Sequence, residues 1–194
     1  MGTAAASSKE IVAGLRARRP AGAAGGVGSF AVQIAKALGG DVTGVCSSGN
    51  VELVRSLGAD RVVDYTREDF TRLGERHDVM IDIAGSRSFS SFRRVLTPEA
   101  RVVVVGAKMS QSVLGPLKHI IGTRLQAIGR SQRVKFFIAK TETADLRYMA
   151  DLMESGKVRS VIDRRYELKD AVEALRYLGE GHAQGKIVLD VGGR

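Results

Sequence analysis

The chain has 194 residues, a formal net charge of +9, 44% hydrophobic residues and a single cysteine, Cys46. This length and apolar content suit one domain with an aliphatic core, and the lone cysteine excludes an internal disulfide and fits a reducing, cytoplasmic location. No apolar run reaches the ~20 residues of a membrane span, and the arginines are scattered without interleaved aromatic residues, so we expect neither membrane nor nucleic-acid partners.

The N-terminal segment is unusually basic. Residues 15–20 read Leu-Arg-Ala-Arg-Arg-Pro, and arginines and proline do not suit the middle of a buried sheet. Ser8–Arg19 is therefore expected to form a polar helix or a disordered arm. We accordingly predict an atypical basic arm over residues 1–20, followed by one domain over residues 21–194. Ile11-Val12 offers an alternative, because this pair could fill the place of a buried strand.

A run of small residues precedes the first apolar helix. Gly22-Ala-Ala-Gly25-Gly26-Val27-Gly28 leads directly into helical spacing of apolar residues that continues to Leu38. Glycines let backbone N–H groups approach an anion closely, and the start of a helix carries a partial positive charge. The run predicts a pyrophosphate cradle for a dinucleotide at Gly25, Gly26, Val27 and Gly28. The alternative is a glycine-rich turn that binds nothing.

Helices and strands alternate after this loop. Strands are predicted at 41–46, 61–65, 78–84 and 101–106, with helices at 51–57, 67–74 and 88–96, the last ending before Pro98. Further helices are predicted at 114–121, 143–155 and 168–178, and strands at 125–129, 160–163 and 186–191. This alternation favours the α/β class, as a Rossmann-like doubly wound parallel sheet. Its usual first strand, before the glycine loop, is missing or replaced.

Several motifs in this order resemble one known family. They are Gly25–Gly28, Leu57–Tyr65, Asp78–Gly85, Val102–Gly106, Lys135–Ala139 and Gly185–Leu189. Together they resemble the C-terminal, cofactor-binding half of the medium-chain dehydrogenase/reductase superfamily, in its zinc-independent, zeta-crystallin-like quinone oxidoreductase branch. Ala23 stands at the first glycine of the usual G-x-G-x-x-G pattern. The resemblance implies that the chain is a truncated form without the family's N-terminal, GroES-like catalytic domain.

The resemblance also implies a function. It indicates an NADPH-dependent oxidoreductase that transfers hydride to a quinone or an activated alkene or carbonyl, as a possible homodimer acting on a small molecule. No catalytic acid or base is assigned, because the cofactor performs the chemical step. No metal is expected, since His77, His119 and His182 are isolated and are expected at the surface. The alternatives are a non-catalytic NADP(H)-binding module and a non-functional fragment.

The turn after the second predicted strand bears on the choice of cofactor. Cys46-Ser47-Ser48-Gly49-Asn50 has no carboxylate to bond the ribose of NAD. Ser47 and Ser48 can donate hydrogen bonds to a 2′-phosphate, so NADP(H) is favoured, with a helix cap as the alternative role for these serines. Arg55 could add positive charge. Cys46 is expected to be a buried, inert thiol rather than a nucleophile.

The remaining cofactor-binding residues are implied by the resemblance. Tyr65 would lie near the same phosphate. Two loops at strand ends would run beside the nicotinamide ribose, and an aromatic pair would meet the nicotinamide or else lie in the core or a subunit contact. Lys186 would lie near the cofactor or else be a solvated lysine. The loop and aromatic residues are Ala84, Gly85, Gly106, Ala107, Phe136 and Phe137.

Overall fold

The structure is a computed structural model, and it describes residues 10–13, 22–83, 92–105, 133–135 and 142–192. The strands are β1 (Glu10–Ala13), β2 (Asp41–Cys46), β3 (Arg61–Asp64), β4 (His77–Asp82), β5 (Leu96–Val104), β6 (Arg133–Lys135), β7 (Ile162–Glu167) and β8 (Lys186–Asp190). The α-helices are α1 (Gly28–Ala37), α2 (Val51–Ser56), α3 (Thr143–Glu154) and α4 (Ala171–Glu180).

Strands β1 to β6 form one sheet in the order β3-β2-β1-β4-β5-β6, and every neighbouring pair is parallel. From β1 in the middle of this sheet, the chain proceeds outward through β2 to β3 and then crosses to β4 on the other side of β1. This is the doubly wound arrangement, in which ligands lie at the carboxyl ends of the strands where the order reverses. The predicted fold class is confirmed. Strands β7 and β8 form a separate parallel pair.

The central position of the sheet is occupied by β1. Ile11 pairs with Val42 of β2 on one side and with Val79 of β4 on the other. The expectation of a polar helix or disordered arm is therefore wrong for Glu10–Ala13, and the alternative based on Ile11-Val12 is correct. The reason is that two β-branched residues suffice for a short strand, while the arginines and Pro20 come after the strand instead of within it.

Both faces of the sheet are covered. Side chains of successive strand residues point to opposite faces, and β2 accordingly places Val45 in one core cluster and Val42 in the other. The Val45 cluster includes Met80 and Phe70, and the Val42 cluster includes Val32 of α1 and Val54 of α2. The Val42 cluster is built from aliphatic residues and Cys46, as the composition predicts, whereas the Val45 cluster also contains Phe70 and Phe92.

Some predicted elements differ in extent. Of the helix predicted over 88–96, residues 88–91 lie outside the described residues, and Phe92 is helical. Arg93–Val95 form a 3₁₀ turn instead of a continuing α-helix, and strand β5 follows and passes through Pro98. The pairing of β5 with β4 changes register between His77 and Val79. Pro98 is therefore accommodated at an irregularity, where proline is tolerated in a strand.

Other predicted elements are confirmed, shortened, shifted along the chain, or outside the described residues. The helix over 143–155 is confirmed as α3, whereas the helix over 67–74 is reduced to a 3₁₀ turn at Phe70–Arg72. The strand expected at 160–163 lies at Ile162–Glu167. The elements predicted at 114–121 and 125–129 lie outside the described residues.

Within the described part of the chain, none of the helices has the length and apolar character needed to cross a bilayer.

Candidate functional site

The glycine loop, residues 22–28, lies at the carboxyl end of β2. The N–H of Ala23 donates to the carbonyl oxygen of Val45 at 3.1 Å, and the N–H of Ser29 donates to that of Gly25 at 2.9 Å. A Cβ at Gly28 would overlap the carbonyl oxygen of Gly22 and lie 2.8 Å from the backbone of Ala23. Glycine is therefore required at Gly28 for this close approach of α1 to the loop.

The start of α1 is suited to an anion. No side chain caps the helix at Val27, and its first turn contains no acidic residue. The first N–H groups of a helix have no partner within the helix, and they carry its partial positive charge. Val27 is 46% exposed, whereas Gly28 and Ser29 are buried, so solvent reaches this end of the helix at Val27.

The segment before β8 connects two predicted parts of the site. Gly185 forms an isolated parallel β-bridge with Gly25 of the glycine loop. The Nζ of Lys186 lies so close to Gly26 that it would be 2.9 Å from a Cβ there. Beside them, the Nε2 of Gln184 donates to the carbonyl oxygen of Gly49 at 3.5 Å. The fold thus brings the glycine loop, Lys186 and the turn after β2 together.

The serine turn, residues 47–50, follows β2. The Oγ of Ser47 accepts a hydrogen bond from the Nδ2 of Asn50 at 3.0 Å, which leaves the Ser47 proton available to a ligand. The Oγ of Ser48 donates to the Oδ2 of Asp64 at 2.5 Å. Ser47 occupies the N-cap position of the short 3₁₀ helix here, but its side chain makes no capping hydrogen bond. The alternative role of a helix cap is therefore wrong for Ser47.

Asp64, at the end of β3, is a carboxylate that the sequence reasoning missed. Its Oδ1 accepts from the N–H of Thr66 at 2.9 Å and from the hydroxyl of Thr66 at 2.6 Å. Burial alone would raise the pKa of Asp64, but hydrogen bonds from Ser48 and Thr66 outweigh it and hold that pKa below its ordinary value. Asp64 could have been found from the parallel pairing of β2 with β3. In that register Asp64 lies opposite Cys46, which directly precedes the serine turn.

Two other predicted residues lie near this edge. Tyr65 is half-buried against the Val45 core cluster, and its N–H donates to the carbonyl oxygen of Cys46 at 3.0 Å. Arg55 forms an ion pair with Glu52 on the exposed face of α2, so its charge is already partly compensated. The residues predicted around the nicotinamide lie outside the described part of the chain; these are Ala84, Gly85, Gly106, Ala107, Phe136 and Phe137.

Cys46 and His77 are both buried. Cys46 is 1% exposed, so the prediction that this thiol is buried is confirmed. Burial, followed by the charge of Asp64, raises the pKa of Cys46 to about 12. His77 is 5% exposed, and burial lowers its pKa to about 4. The expectation of a surface histidine is therefore wrong for His77, which β4 carries into the protein. His182 is exposed, and His119 lies outside the described residues.

The strand order and the position of the glycine loop define a Rossmann-like domain. Residues 57–189 match the model of the zinc-binding dehydrogenase family, and the chain belongs to this family, in the medium-chain dehydrogenase/reductase superfamily. Despite the family's name, the residues that the structure describes contain no group of three or more His, Cys, Asp or Glu able to hold a metal. The described residues therefore do not fit a zinc ion.

Two curated relatives and one solved structure illustrate the similarity. The chain is 33% identical over 172 residues to the chloroplastic quinone-oxidoreductase QR1 of Triphysaria versicolor, covering 87% of this chain and 50% of that protein. It is 34% identical over 172 residues to the 2-methylene-furan-3-one reductase of Solanum lycopersicum, covering 87% of this chain and 38% of that protein. The quinone oxidoreductase from Coxiella burnetii shares the fold, with a TM-score of 0.73 and 24% identity over 95% of this chain and 53% of that one. The chain thus spans about half the length of the relatives it matches, or less.

Proposed function

We propose that the chain binds NADP(H) and is the cofactor-binding half of an oxidoreductase that transfers hydride to a quinone or to an activated alkene or carbonyl. The observation that carries this proposal is the glycine loop at the carboxyl edge of the sheet, which is exposed at Val27 and has the Lys186 ammonium beside Gly26. Family membership supports the reaction class, because two of the relatives are named as a quinone oxidoreductase and as a reductase of an unsaturated ketone.

The cofactor's diphosphate would lie at the start of α1. The backbone N–H groups around Val27 and Gly28 would donate to its oxygens, and Gly26 would allow close approach. Lys186 would add a positive charge on the same side, since its Nζ is already held against Gly26. A helix terminus and an ammonium group acting on one anion are each favourable electrostatic contributions.

The preference for NADP(H) is supported by the residues after β2. No carboxylate lies within residues 47–50, and the hydroxyl proton of Ser47 is free to donate to a 2′-phosphate. Tyr65 would pack near the same group.

The nicotinamide supplies hydride when it is bound, and the chain's residues position it. We assign no protein acid or base to the reaction. Ala84, Gly85, Gly106, Ala107, Phe136 and Phe137 would line the nicotinamide end of the site. We further infer that residues 21–194 form one dinucleotide-binding domain and that the N-terminal arm contributes β1 to it. The protein would act without zinc, in the cytoplasm and as a homodimer.

The test is a titration of the purified chain with NADPH and NADH, with nucleotide fluorescence and thermal melting followed together. We expect NADPH to bind more tightly than NADH and to raise the melting temperature. Lys186→Gln should weaken both nucleotides roughly tenfold or more, because a charge-assisted hydrogen bond contributes about 1.5–3 kcal/mol. Failure of the wild-type chain to bind either nucleotide would refute the proposal.

Lys169→Gln provides a matched control for the lost charge. Lys169 follows β7 and pairs with Glu167 at 2.6 Å. Because Ile162 pairs with Lys186 while Glu167 pairs with Asp190, Lys169 lies beyond the end of the β7–β8 pair that is remote from Lys186. Its replacement should leave nucleotide affinity unchanged. An equal loss in both variants would indicate general charge attraction instead of a site.

A non-catalytic NADP(H)-binding module is the second candidate. It is supported by the described part of the proposed site, which offers features that suit an anion but no assigned catalytic acid or base. Binding of NADPH without oxidation in the presence of quinones or unsaturated ketones would select this module.

A further inference from the structure

A carboxylate lies directly behind the serine turn. Asp64 is 9% exposed, and its Oδ2 is 2.5 Å from the hydroxyl of Ser48. Both Ser48 and Thr66 are exposed, and their hydroxyl oxygens lie 2.9 Å apart. The buried carboxylate therefore underlies two hydroxyls that face the carboxyl edge of the sheet.

The number of protons decides what these hydroxyls can offer a ligand. Each hydroxyl has one proton and two lone pairs, and an ionised carboxylate only accepts. The Ser48 proton is donated to Oδ2 of Asp64, and the Thr66 proton is donated to Oδ1 at 2.6 Å. Toward a ligand, Ser48 consequently offers only lone pairs, which accept hydrogen bonds, and the negative charge of Asp64 lies behind them.

We propose that Asp64 is a positioning residue for nucleotide choice: by holding the Ser48 proton, it makes this part of the site accept hydrogen bonds and disfavours a 2′-phosphate. The inference rests on the proposed function, which places the adenosine ribose after β2. A ribose 2′-hydroxyl can donate to Ser48, whereas a phosphate has no proton to share and is repelled by the carboxylate. Asp64 thus limits the preference for NADP(H) that Ser47 provides.

Arg67 does not cancel this effect. Its Nε is 3.9 Å from Oδ2 of Asp64, and its side chain is 82% exposed, so solvent strongly screens the pair. The Ser48 proton is held by the shorter contact of 2.5 Å. Asp64 therefore remains the acceptor that fixes the direction of this hydrogen bond.

Asp64→Asn tests the proposal by reversing that direction. The amide Oδ1 can still accept from Thr66, while the amide Nδ2 donates to Ser48 and releases the Ser48 proton toward the ligand. The dissociation constant of NADH divided by that of NADPH should rise about fivefold or more, so the preference for NADPH should increase. This factor corresponds to the typical free-energy contribution of one hydrogen bond. A purely structural role would weaken both nucleotides together and leave this ratio unchanged.

Asp60→Asn is the matched control. Asp60 precedes β3, and its carboxylate bonds Lys36 and the N–H of Val42 at the opposite end of the strands. Its replacement removes the same negative charge from a basic protein without changing Ser48. The nucleotide ratio should stay at the wild-type value.

Ser48→Ala tests the proposal even if the Asp64→Asn variant fails to fold. Ser48 is exposed, so its replacement should leave the fold intact. Removal of an acceptor should weaken NADH and leave NADPH unchanged or tighter. Selective weakening of NADPH would mean that Ser48 donates to the phosphate, and would overturn the role of Asp64. An unchanged ratio in a folded Asp64→Asn variant would overturn it too. Failure of the wild-type chain to bind either nucleotide would overturn this inference and the proposed function together.

Discussion

Gly28→Ala is expected to destabilise the fold at the glycine loop. The added Cβ would overlap the carbonyl oxygen of Gly22 and lie 2.8 Å from backbone atoms of Ala23. Backbone atoms cannot rotate out of the way, so α1 would have to move away from the loop that anchors it on β2. Overpacking typically costs 1–3 kcal/mol, and we expect about 3 kcal/mol here.

Thermal melting followed by circular dichroism would measure this loss. For a domain of this size, 1 kcal/mol corresponds to roughly 2–4 °C, so the melting temperature should fall by about 6–12 °C. Gly49→Ala is the control, because a Cβ at Gly49 meets nothing within 4 Å. It should stay within about 0.5 kcal/mol of wild type. Equal melting temperatures for the two variants would show that α1 does not approach the loop as described.

Three further predictions concern stability and reactivity. A Cβ at Gly179 of α4 would meet nothing within 4 Å, so Gly179→Ala should raise the free energy of unfolding by about 0.5–1 kcal/mol. Gly181→Ala should lower the free energy of unfolding, because the φ of Gly181 is 76°. Denaturant midpoints that shift in the same direction for both variants would contradict this prediction. Burial lowers the pKa of His77 from 6.5 to about 4, so between these pH values the unfolded chain binds one more proton than the folded chain. Acidification from pH 6.5 to 4 should therefore lower the free energy of unfolding by up to roughly 3 kcal/mol. Urea titrations at several pH values should show that slope in wild type and in His182→Gln but not in His77→Gln, and an equal slope in all three would exclude His77 as its source. With its pKa raised to about 12 by burial, Cys46 should react with a disulfide reagent only as fast as the protein opens; reaction at the rate of a free thiol in native buffer would disprove its burial.

Local patterns were sufficient for much of the fold. The small residues of the glycine loop and the helical spacing after them predicted α1, and apolar β-branched stretches predicted β2, β3 and β4. The α/β class follows from their alternation. These features are readable because helix starts and strand periodicity depend on residues close together in the chain.

Strand β1 shows where local reading fails. Glu10–Ala13 is only four residues long and is followed by arginines and a proline that dominate its surroundings in the sequence. It becomes a strand because β2 and β4 provide pairing partners on both sides. His77 is a similar case, because β4 buries this polar side chain and no neighbouring residue in the sequence indicates that burial.

The amino-acid pattern was therefore enough to specify the glycine loop, the alternating α/β elements and the family resemblance. Three-dimensional packing decided which functional groups meet. Ser48 and Asp64 are sixteen positions apart and become partners because β2 and β3 are paired in parallel register. Lys186 reaches Gly26 because Gly185 bridges to Gly25. Such contacts depend on strand order and register, which join segments distant in sequence and leave no periodic signal in either one.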